Sequence, residues 1–187
     1  MLQYQTKADK FKALVHYICW RCGNDPSKLG AVKLNKALWL ADLAAYYYLG
    51  KPITRSRYVK RQFGPTPKAI LPVLRELQQE GKLDIREDDY YGKKKRTFIA
   101  KQDASSGFMT EEEKNIVENI VELVCEKHTA KSISEQSHDQ VWKSAADGEE
   151  LPLSTVFVNP EKISDEDRVW AREQLEKSAR EWRSEAA

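Results

Sequence analysis

The 187-residue sequence has no long apolar run and almost no net charge. No stretch approaches the roughly 18 apolar residues that a membrane-spanning helix needs, and the N-terminal segment MLQYQTKADKFK lacks the apolar centre of a secretory signal. The 31 lysines and arginines are balanced by 29 aspartates and glutamates, so the chain lacks the overall positive field with which many proteins hold nucleic acid. These absences predict a cytoplasmic protein without a membrane partner, and they restrict any DNA contact to a local patch.

Cysteine is scarce, and no metal-binding pattern is well formed. The three cysteines, an odd number, fit reduced intracellular thiols better than a disulfide framework. The spacings His16-x-x-Cys19-x-x-Cys22 and Cys125-x-x-His128 supply zinc-type ligands. Cys19, however, belongs to the apolar face of a predicted helix and is more simply a small core residue. We therefore expect no metal and no cofactor.

The patterns of common catalytic sites are also missing. Ser137-His138-Asp139 contains the residue types of a hydrolase triad, but adjacent residues on a helix point about 100° apart and cannot form the relay among themselves. Glycine-rich phosphate loops and metalloprotease helices are absent. A hydrolase acting through His138 would need partners from elsewhere, and none is evident, so we expect that the protein is not an enzyme.

Helical periodicity dominates what the chain does contain. Gly50 can end the central helix in a left-handed conformation, and Pro72 is expected to kink the helix after it. Thr110 and Glu113 form a capping box that opens a further helix. The predicted helices cover about 6–21, 31–49 and 67–80, a stretch from 110 onwards, 132–145 and 164–182.

Strand patterns are few. Alternation of apolar and polar residues over 83–86 and 96–99 predicts a β-hairpin, and the apolar segment 151–158 is either a strand or a buried extended segment. The predicted fold class is mainly α, a compact helical domain with a small β-hairpin, partly winged-helix-like. We expect one domain over 1–160, and a C-terminal amphipathic helix over 161–187 that packs on it or extends from it.

The stretch 33–70 carries the most informative pattern. It contains KLNKALWLADLAAYYYLGKPIT and then RYVKRQFGPTPKAI, and the later stretch 132–142 reads SISEQSHDQVW. These blocks resemble the Panacea antitoxin domain, a family of SocA-like and phage-associated proteins whose pattern runs KLxKLLYxAD, GxPIT, RY, GPxP and SxxSH…W. The resemblance covers roughly 8–158, and its blocks follow the family's order. The motif residues expected to be structural are Leu34, Leu38, Asp42, Gly64, Pro65, Ser137, His138 and Trp142.

The resemblance implies an antitoxin of a bacterial or phage-associated toxin-antitoxin pair, which binds the toxin protein encoded next to it. The three consecutive tyrosines at 46–48 point in three directions, so at least one is expected to face solvent, where tyrosine favours protein interfaces. The alternative is packing of these rings against the first helix and segment 151–158. The candidate partner-binding residues are Tyr47, Tyr48, Arg57, Arg61, Gln62 and Phe63.

A DNA-binding regulator of its own operon is the alternative function. The order helix, helix, hairpin is that of a winged-helix unit, and a basic run beside the hairpin turn would place a wing near phosphates. The simpler interpretation is a solvated turn whose lysines face the acidic run 87–89. The helix over 67–80 also offers few polar residues at its N-terminal end, where bases would be read. The candidate DNA contacts are Lys93, Lys94, Lys95 and Arg96.

Overall fold

The structure is a computed structural model that describes residues 7–23, 25, 28–90, 93–136 and 140–157. The described residues form six α-helices, a π-helical segment, a 3-10 helix and five strands. The helices are α1 (Lys7–Arg21), α2 (Ala31–Leu49), α3 (Ile70–Gln79), α4 (Glu111–Glu122), α5 (Ala130–Gln136) and α6 (Gln140–Ser144). The strands are β1 (Tyr58–Arg61), β2 (Gly64–Pro67), β3 (Leu83–Tyr90), β4 (Lys93–Ala100) and β5 (Glu150–Leu151), with the π segment at Leu123–Lys127 and the 3-10 helix at Leu153–Phe157.

Helix α2 is the element around which the core is built. It packs against α1, α4, α5 and β2, and its apolar band, including Leu34 and Leu38, is buried. The helix ends at Gly50, which adopts a φ of 70° and donates its N–H to the Tyr46 carbonyl at 3.1 Å. Glycine adopts this left-handed conformation without a Cβ clash, so both the predicted bounds of α2 and its glycine stop are confirmed.

The third helix does not start at Pro67, contrary to the prediction, because Pro67 is the last residue of a strand. Residues Gly64–Pro67 form β2, an outer strand of the sheet ordered β2-β1-β5, and pair antiparallel with β1. An outer strand tolerates proline because the missing N–H need not join the hydrogen-bond ladder. Gly64 has a φ of 113°, which a residue with a Cβ would rarely adopt.

The predicted kink at Pro72 rests on the same error in the helix start. Helix α3 begins at Ile70, after the N-cap residue Ala69, so Pro72 lies in the first helical turn. The N–H groups of the first turn have no intrahelical acceptor, and proline there removes no helical hydrogen bond. One apolar face of α3, including Val73 and Leu77, is buried.

The predicted β-hairpin is confirmed, with longer strands than the alternation indicated. β3 and β4 each have eight residues and pair from Leu83↔Ala100 to Tyr90↔Lys93. Gly30, just before α2, forms an isolated bridge with Thr97 of β4. The succession of α1, this bridge, α2, α3 and the hairpin is that of a winged-helix domain, with β1 and β2 inserted between α2 and α3. The predicted fold class is confirmed.

The capping box before α4 is confirmed and has a further function in packing. The Glu113 N–H donates to Thr110 Oγ1 at 3.3 Å, and the Thr110 N–H donates to Glu113 Oε2 at 3.0 Å. The Glu113 carboxylate is buried and also binds Lys10 Nζ at 2.8 Å. The capping box therefore joins α4 to α1. The π segment that follows α4 was not predicted from the sequence.

The C-terminal part of the described chain differs from its prediction in detail. The described part of the apolar segment, 151–157, is neither one strand nor a buried extended segment, because β5 ends at Leu151 and no residue of the following 3-10 helix is buried. Pro152, which has no N–H for a ladder, lies between the two elements. The helix predicted near 132–145 corresponds to α5 and α6. The helix predicted over 164–182 lies outside the described residues, and the domain boundary at 160 stays a prediction.

Among the described helices, none combines the length and the apolar character that crossing a membrane requires.

Candidate partner-binding surface

A buried hydrogen-bond network joins α2 to β1. Asp42, on the inner face of α2, accepts hydrogen bonds from the Thr54 backbone N–H at 2.8 Å and from the Tyr58 hydroxyl at 2.7 Å. The Thr54 hydroxyl donates to the same carboxylate. Burial raises the pKa of Asp42, and the hydrogen bonds from Thr54 and Tyr58 oppose that rise. The network fixes the path of the chain between the two elements.

The sequence alone did not identify Thr54 and Tyr58 as the hydrogen-bond partners of Asp42. Both lie in the segments GKPIT and RY, which are among the motifs that resemble the Panacea family. One acidic residue in the apolar band of α2 is the pattern that could have revealed the network, because a buried carboxylate requires hydrogen-bond donors. The same helix also buries Lys33, which donates to the Cys125 carbonyl at 3.3 Å, and Lys36.

The predicted structural motif residues lie mainly in the core. Leu34, Leu38, Asp42, Gly64 and Pro65 are buried. Ser137 and His138 lie outside the described residues. Trp142 is half-buried at the edge of the core, with the Lys60 ammonium 4.4 Å from the centre of its ring.

Aromatic side chains cluster at the C-terminal end of α2. We call Tyr46, Tyr47, Tyr48 and Phe157 the aromatic patch. The Phe157 ring lies 5.6 Å from that of Tyr46 and 5.8 Å from that of Tyr47, while Tyr47 and Tyr48 are 4.9 Å apart in an edge-to-face arrangement. Tyr47 is 52% exposed, Tyr48 74% and Phe157 58%. Tyr46 and Tyr47 therefore contact Phe157 of the segment that one interpretation predicted, although no contact with the first helix is among those described. Tyr47 and Tyr48 face solvent, as the other interpretation predicted.

A groove of about 340 Å³ adjoins the aromatic patch and shares Tyr46 with it. Its walls include Arg55, Arg57, Glu150 and Leu153. The Arg57 guanidinium binds the Glu150 carboxylate with an Nε to Oε2 distance of 2.9 Å and lowers the pKa of that carboxyl. Arg55 has a φ of 55°, in a region that non-glycine residues rarely adopt and that is enriched at functional sites. The predicted residue Arg57 thus lines a groove that shares Tyr46 with the aromatic patch.

The other predicted partner-binding residues lie at a separate place. Arg61, Gln62 and Phe63, which we call the β1–β2 tip, are all exposed, with Phe63 at 57%. Arg61 Nη1 is 3.2 Å from the Asp147 carboxylate. The tip is about 10 Å from the start of β1, at roughly 3.3 Å per residue. The structure therefore offers two candidate surfaces, and both stay predictions.

The backbone register of the hairpin places three of the four residues of the basic run opposite acidic residues. The strand register pairs Lys94 with Asp89, Lys95 with Asp88 and Arg96 with Glu87. Arg96 Nε is 2.8 Å from Glu87 Oε1. Outside the hairpin, the basic residue Lys68, which precedes α3, is also paired, with its Nζ 3.4 Å from the Glu150 carboxylate. The simpler interpretation of the lysines, that they face the acidic run, agrees with this register.

The histidines and cysteines whose spacing resembles that of zinc ligands do not converge on one point. His16 Nε2 is 3.2 Å from the Gln102 carbonyl, and His128 Nδ1 is 3.1 Å from Ser132 Oγ. Cys22 and Cys125, by contrast, are in direct contact. In the part of the chain that the structure describes, no three histidine, cysteine or acidic side chains form a group that could hold a metal ion.

The fold and the exposed surface together indicate the class of protein. The chain is a winged-helix-like helical domain with exposed aromatic rings beside a charged groove, which is typical of a protein-binding domain. A family model described as antitoxin SocA-like, Panacea domain, matches residues 34–143, more than half of the chain. The protein belongs to this family of SocA-like antitoxins. Comparisons with curated proteins and with solved structures gave no match.

Proposed function

We propose that the protein neutralises a cognate toxin protein in the cytoplasm by binding it directly, without a catalytic step of its own. Membership of an antitoxin family supports this role. The observation that supports the location is the exposure of Tyr47, Tyr48 and Phe157 in one cluster beside the groove. Exposed aromatic rings and arginines are the residue types that most often dominate interface energies. The toxin therefore binds at the aromatic patch and the adjoining groove, including Arg57.

The first test is co-expression with the adjacent gene. The neighbouring product alone is expected to stop growth, and co-expression of the two proteins is expected to restore growth and to yield a complex that elutes as one species. Neutralisation by mass action requires the complex to persist at cellular concentrations, which corresponds to a Kd at or below about 10 nM, roughly −11 kcal/mol. A harmless neighbour that forms no complex would exclude the antitoxin role at this locus.

The winged-helix topology favours one second candidate, a DNA-binding regulator. The bridge between Gly30 and Thr97 and the eight-residue strands of the hairpin produce a wing-like element. The acidic residues opposite the basic run weaken its positive field, because opposite charges across a strand pair neutralise each other locally. Direct toxin binding therefore ranks first.

Replacing Lys93, Lys94 and Lys95 together by glutamine tests the DNA alternative. Glutamine is the better choice over glutamate, because glutamate would place like charges opposite Asp88 and Asp89 and destabilise the hairpin. We expect toxin binding within a few-fold of the parent protein, and no retention of DNA from upstream of the gene by either protein at physiological salt. Salt-dependent DNA retention by the parent that the variant loses would establish the second function.

A further inference from the structure

Two cysteines that are distant in the sequence meet in the interior. Cys22 follows the last residue of α1, and Cys125 is the central residue of the π segment. Their Sγ atoms are 2.7 Å apart, and both side chains are buried. π-Helical turns are rare and occur often at functional sites. The packing of α1 against the π segment thus brings together a pair of thiols that no local sequence motif contains.

A cavity gives small molecules access to this pair. It has a volume of about 280 Å³, and both Cys22 and Cys125 line it, whereas Cys19, the third cysteine, does not. Its wall includes Arg21 and Lys28, which are exposed, so it reaches the surface. A water molecule occupies roughly 30 Å³ of liquid volume, and a peroxide is little larger. The sulfur atoms are buried from protein-sized partners and still accessible to a small oxidant.

The surroundings make the two thiols unequal. The hydrogen bond from the Cys22 thiol lowers the pKa of Cys125, and the positive charges of Lys33 and Lys28 lower it further. The same hydrogen bond and burial raise the pKa of Cys22. Lys33 Nζ lies 3.3 Å from the Cys125 carbonyl oxygen, so a buried positive charge is next to Cys125. The thiolate is the nucleophile in thiol oxidation, and we assign Cys125 as the attacking sulfur and Cys22 as the resolving one.

We propose that Cys22 and Cys125 form a redox-active dithiol that a peroxide converts to an intramolecular disulfide and that a thiol reductant restores. The Cys125 thiolate attacks a peroxide oxygen, the O–O bond breaks, and the released hydroxide takes up a proton to leave as water. Cys125 is then a sulfenic acid. The Cys22 sulfur attacks the Cys125 sulfur, the S–O bond breaks, and the second water leaves with the Cys22 proton. Two thiols are oxidised and one peroxide is reduced.

The disulfide has a structural consequence. It closes a loop that contains α2, α3, α4 and the β3–β4 hairpin, and it fixes the end of α1 to the π segment. A cross-link over a loop of this length restricts the unfolded chain strongly. The melting temperature of the oxidised protein is therefore expected to exceed that of the reduced protein by roughly 5–15 °C. Disulfides in reducing compartments are usually transient and redox-sensing, which agrees with a reversible pair.

The test uses the full-length reduced protein treated with hydrogen peroxide. We expect the intact mass to fall by about 2 Da, the two hydrogens lost when a disulfide forms, and non-reducing peptide mapping to join the peptides of Cys22 and Cys125. Dithiothreitol should reverse both the mass change and the rise in melting temperature. Cys19→Ala is the matched control, because it removes the third buried cysteine, which lies on α1 and does not line the cavity, and should leave the reaction unchanged.

The single variants separate the two steps. Cys22→Ser should accumulate a sulfenic acid on Cys125 that a dimedone-type probe labels, and Cys125→Ser should give neither the label nor the disulfide. If these variants do not fold, the parent protein and Cys19→Ala still decide the question. An unchanged mass, oxygen addition without a cross-link, a bond to Cys19 or a bond between two chains would each overturn the proposal. The result does not depend on whether the protein binds a toxin.

Discussion

Replacing Tyr47 and Phe157 together by alanine is expected to weaken binding of the cognate toxin by roughly 30-fold to 1,000-fold. Loss of the central aromatic anchors of an interface costs about 2–4 kcal/mol, and each 1.4 kcal/mol is about a tenfold change in Kd. The two rings contact each other at 5.8 Å and both are more than half exposed. Their removal should therefore lower the melting temperature by only a few degrees, about 2–4 °C.

Titration calorimetry with the purified toxin, paired with thermal melts of the same variants, measures both quantities. Leu71→Ala is the matched control, since Leu71 is 50% exposed on α3 and lines a cavity that shares no residue with the aromatic patch or its groove. Phe63→Ala and Arg61→Ala test the β1–β2 tip, where the sequence also predicted partner contacts. If the double variant binds as the parent does while the tip variants lose binding, the toxin binds at the tip and our choice of surface is wrong.

Replacing Asp42 by alanine is expected to lower the free energy of unfolding by about 2–4 kcal/mol. The change leaves the buried Thr54 N–H and the Thr54 hydroxyl without their shared acceptor, whereas the Tyr58 hydroxyl keeps the Leu38 carbonyl at 2.9 Å. A buried donor left unsatisfied costs about 1–3 kcal/mol. Urea titrations should show the loss as a lower midpoint. Asp147→Ala is the matched control, because the Asp147 pair with Arg61 is exposed and should contribute less than about 1 kcal/mol. An equal effect of both substitutions would contradict a structural role for the network.

Asp42→Asn adds a dependence on pH whose sign follows from burial. Because burial raises the pKa of Asp42 above its unfolded value of about 3.9, the folded state favours the protonated carboxyl. The stability of the parent protein relative to Asp42→Asn is therefore greatest below about pH 4 and falls as the pH rises through the raised folded pKa. Urea titrations from pH 4 to 8, at roughly one-unit intervals, measure this difference. A difference that instead grows with pH would mean that the hydrogen bonds outweigh burial.

Most of the helical architecture could be predicted from local sequence. The bounds of α2, its glycine stop and the Thr110 capping box depend on residues within one or two helical turns of each other. Such short-range patterns act on the chain directly, because the spacing of apolar residues and the hydrogen bonds of a cap do not need a distant partner. The family was likewise evident from the motif blocks, and the match over 34–143 confirms it.

Contacts between distant segments could not be predicted in the same way. Gly64–Pro67 fits a helix start or an outer strand equally well, and pairing with β1 decides in favour of the strand. Thr54 and Tyr58 donate hydrogen bonds to Asp42 only because the turn after α2 brings them close to its carboxylate. Phe157 joins the three tyrosines only because β5 pairs with β1 and directs the chain back to the end of α2.

The sequence by itself determined the family, the main helices and the absence of a familiar catalytic motif. Only the tertiary structure decided which exposed rings share a surface, which donors meet the buried carboxylate, and that Cys22 contacts Cys125 across 103 positions of sequence. The reason is physical. A helix or a cap is stabilised by neighbours along the chain, whereas a polar network, a thiol pair or an aromatic patch forms only when packing of the core brings remote segments together.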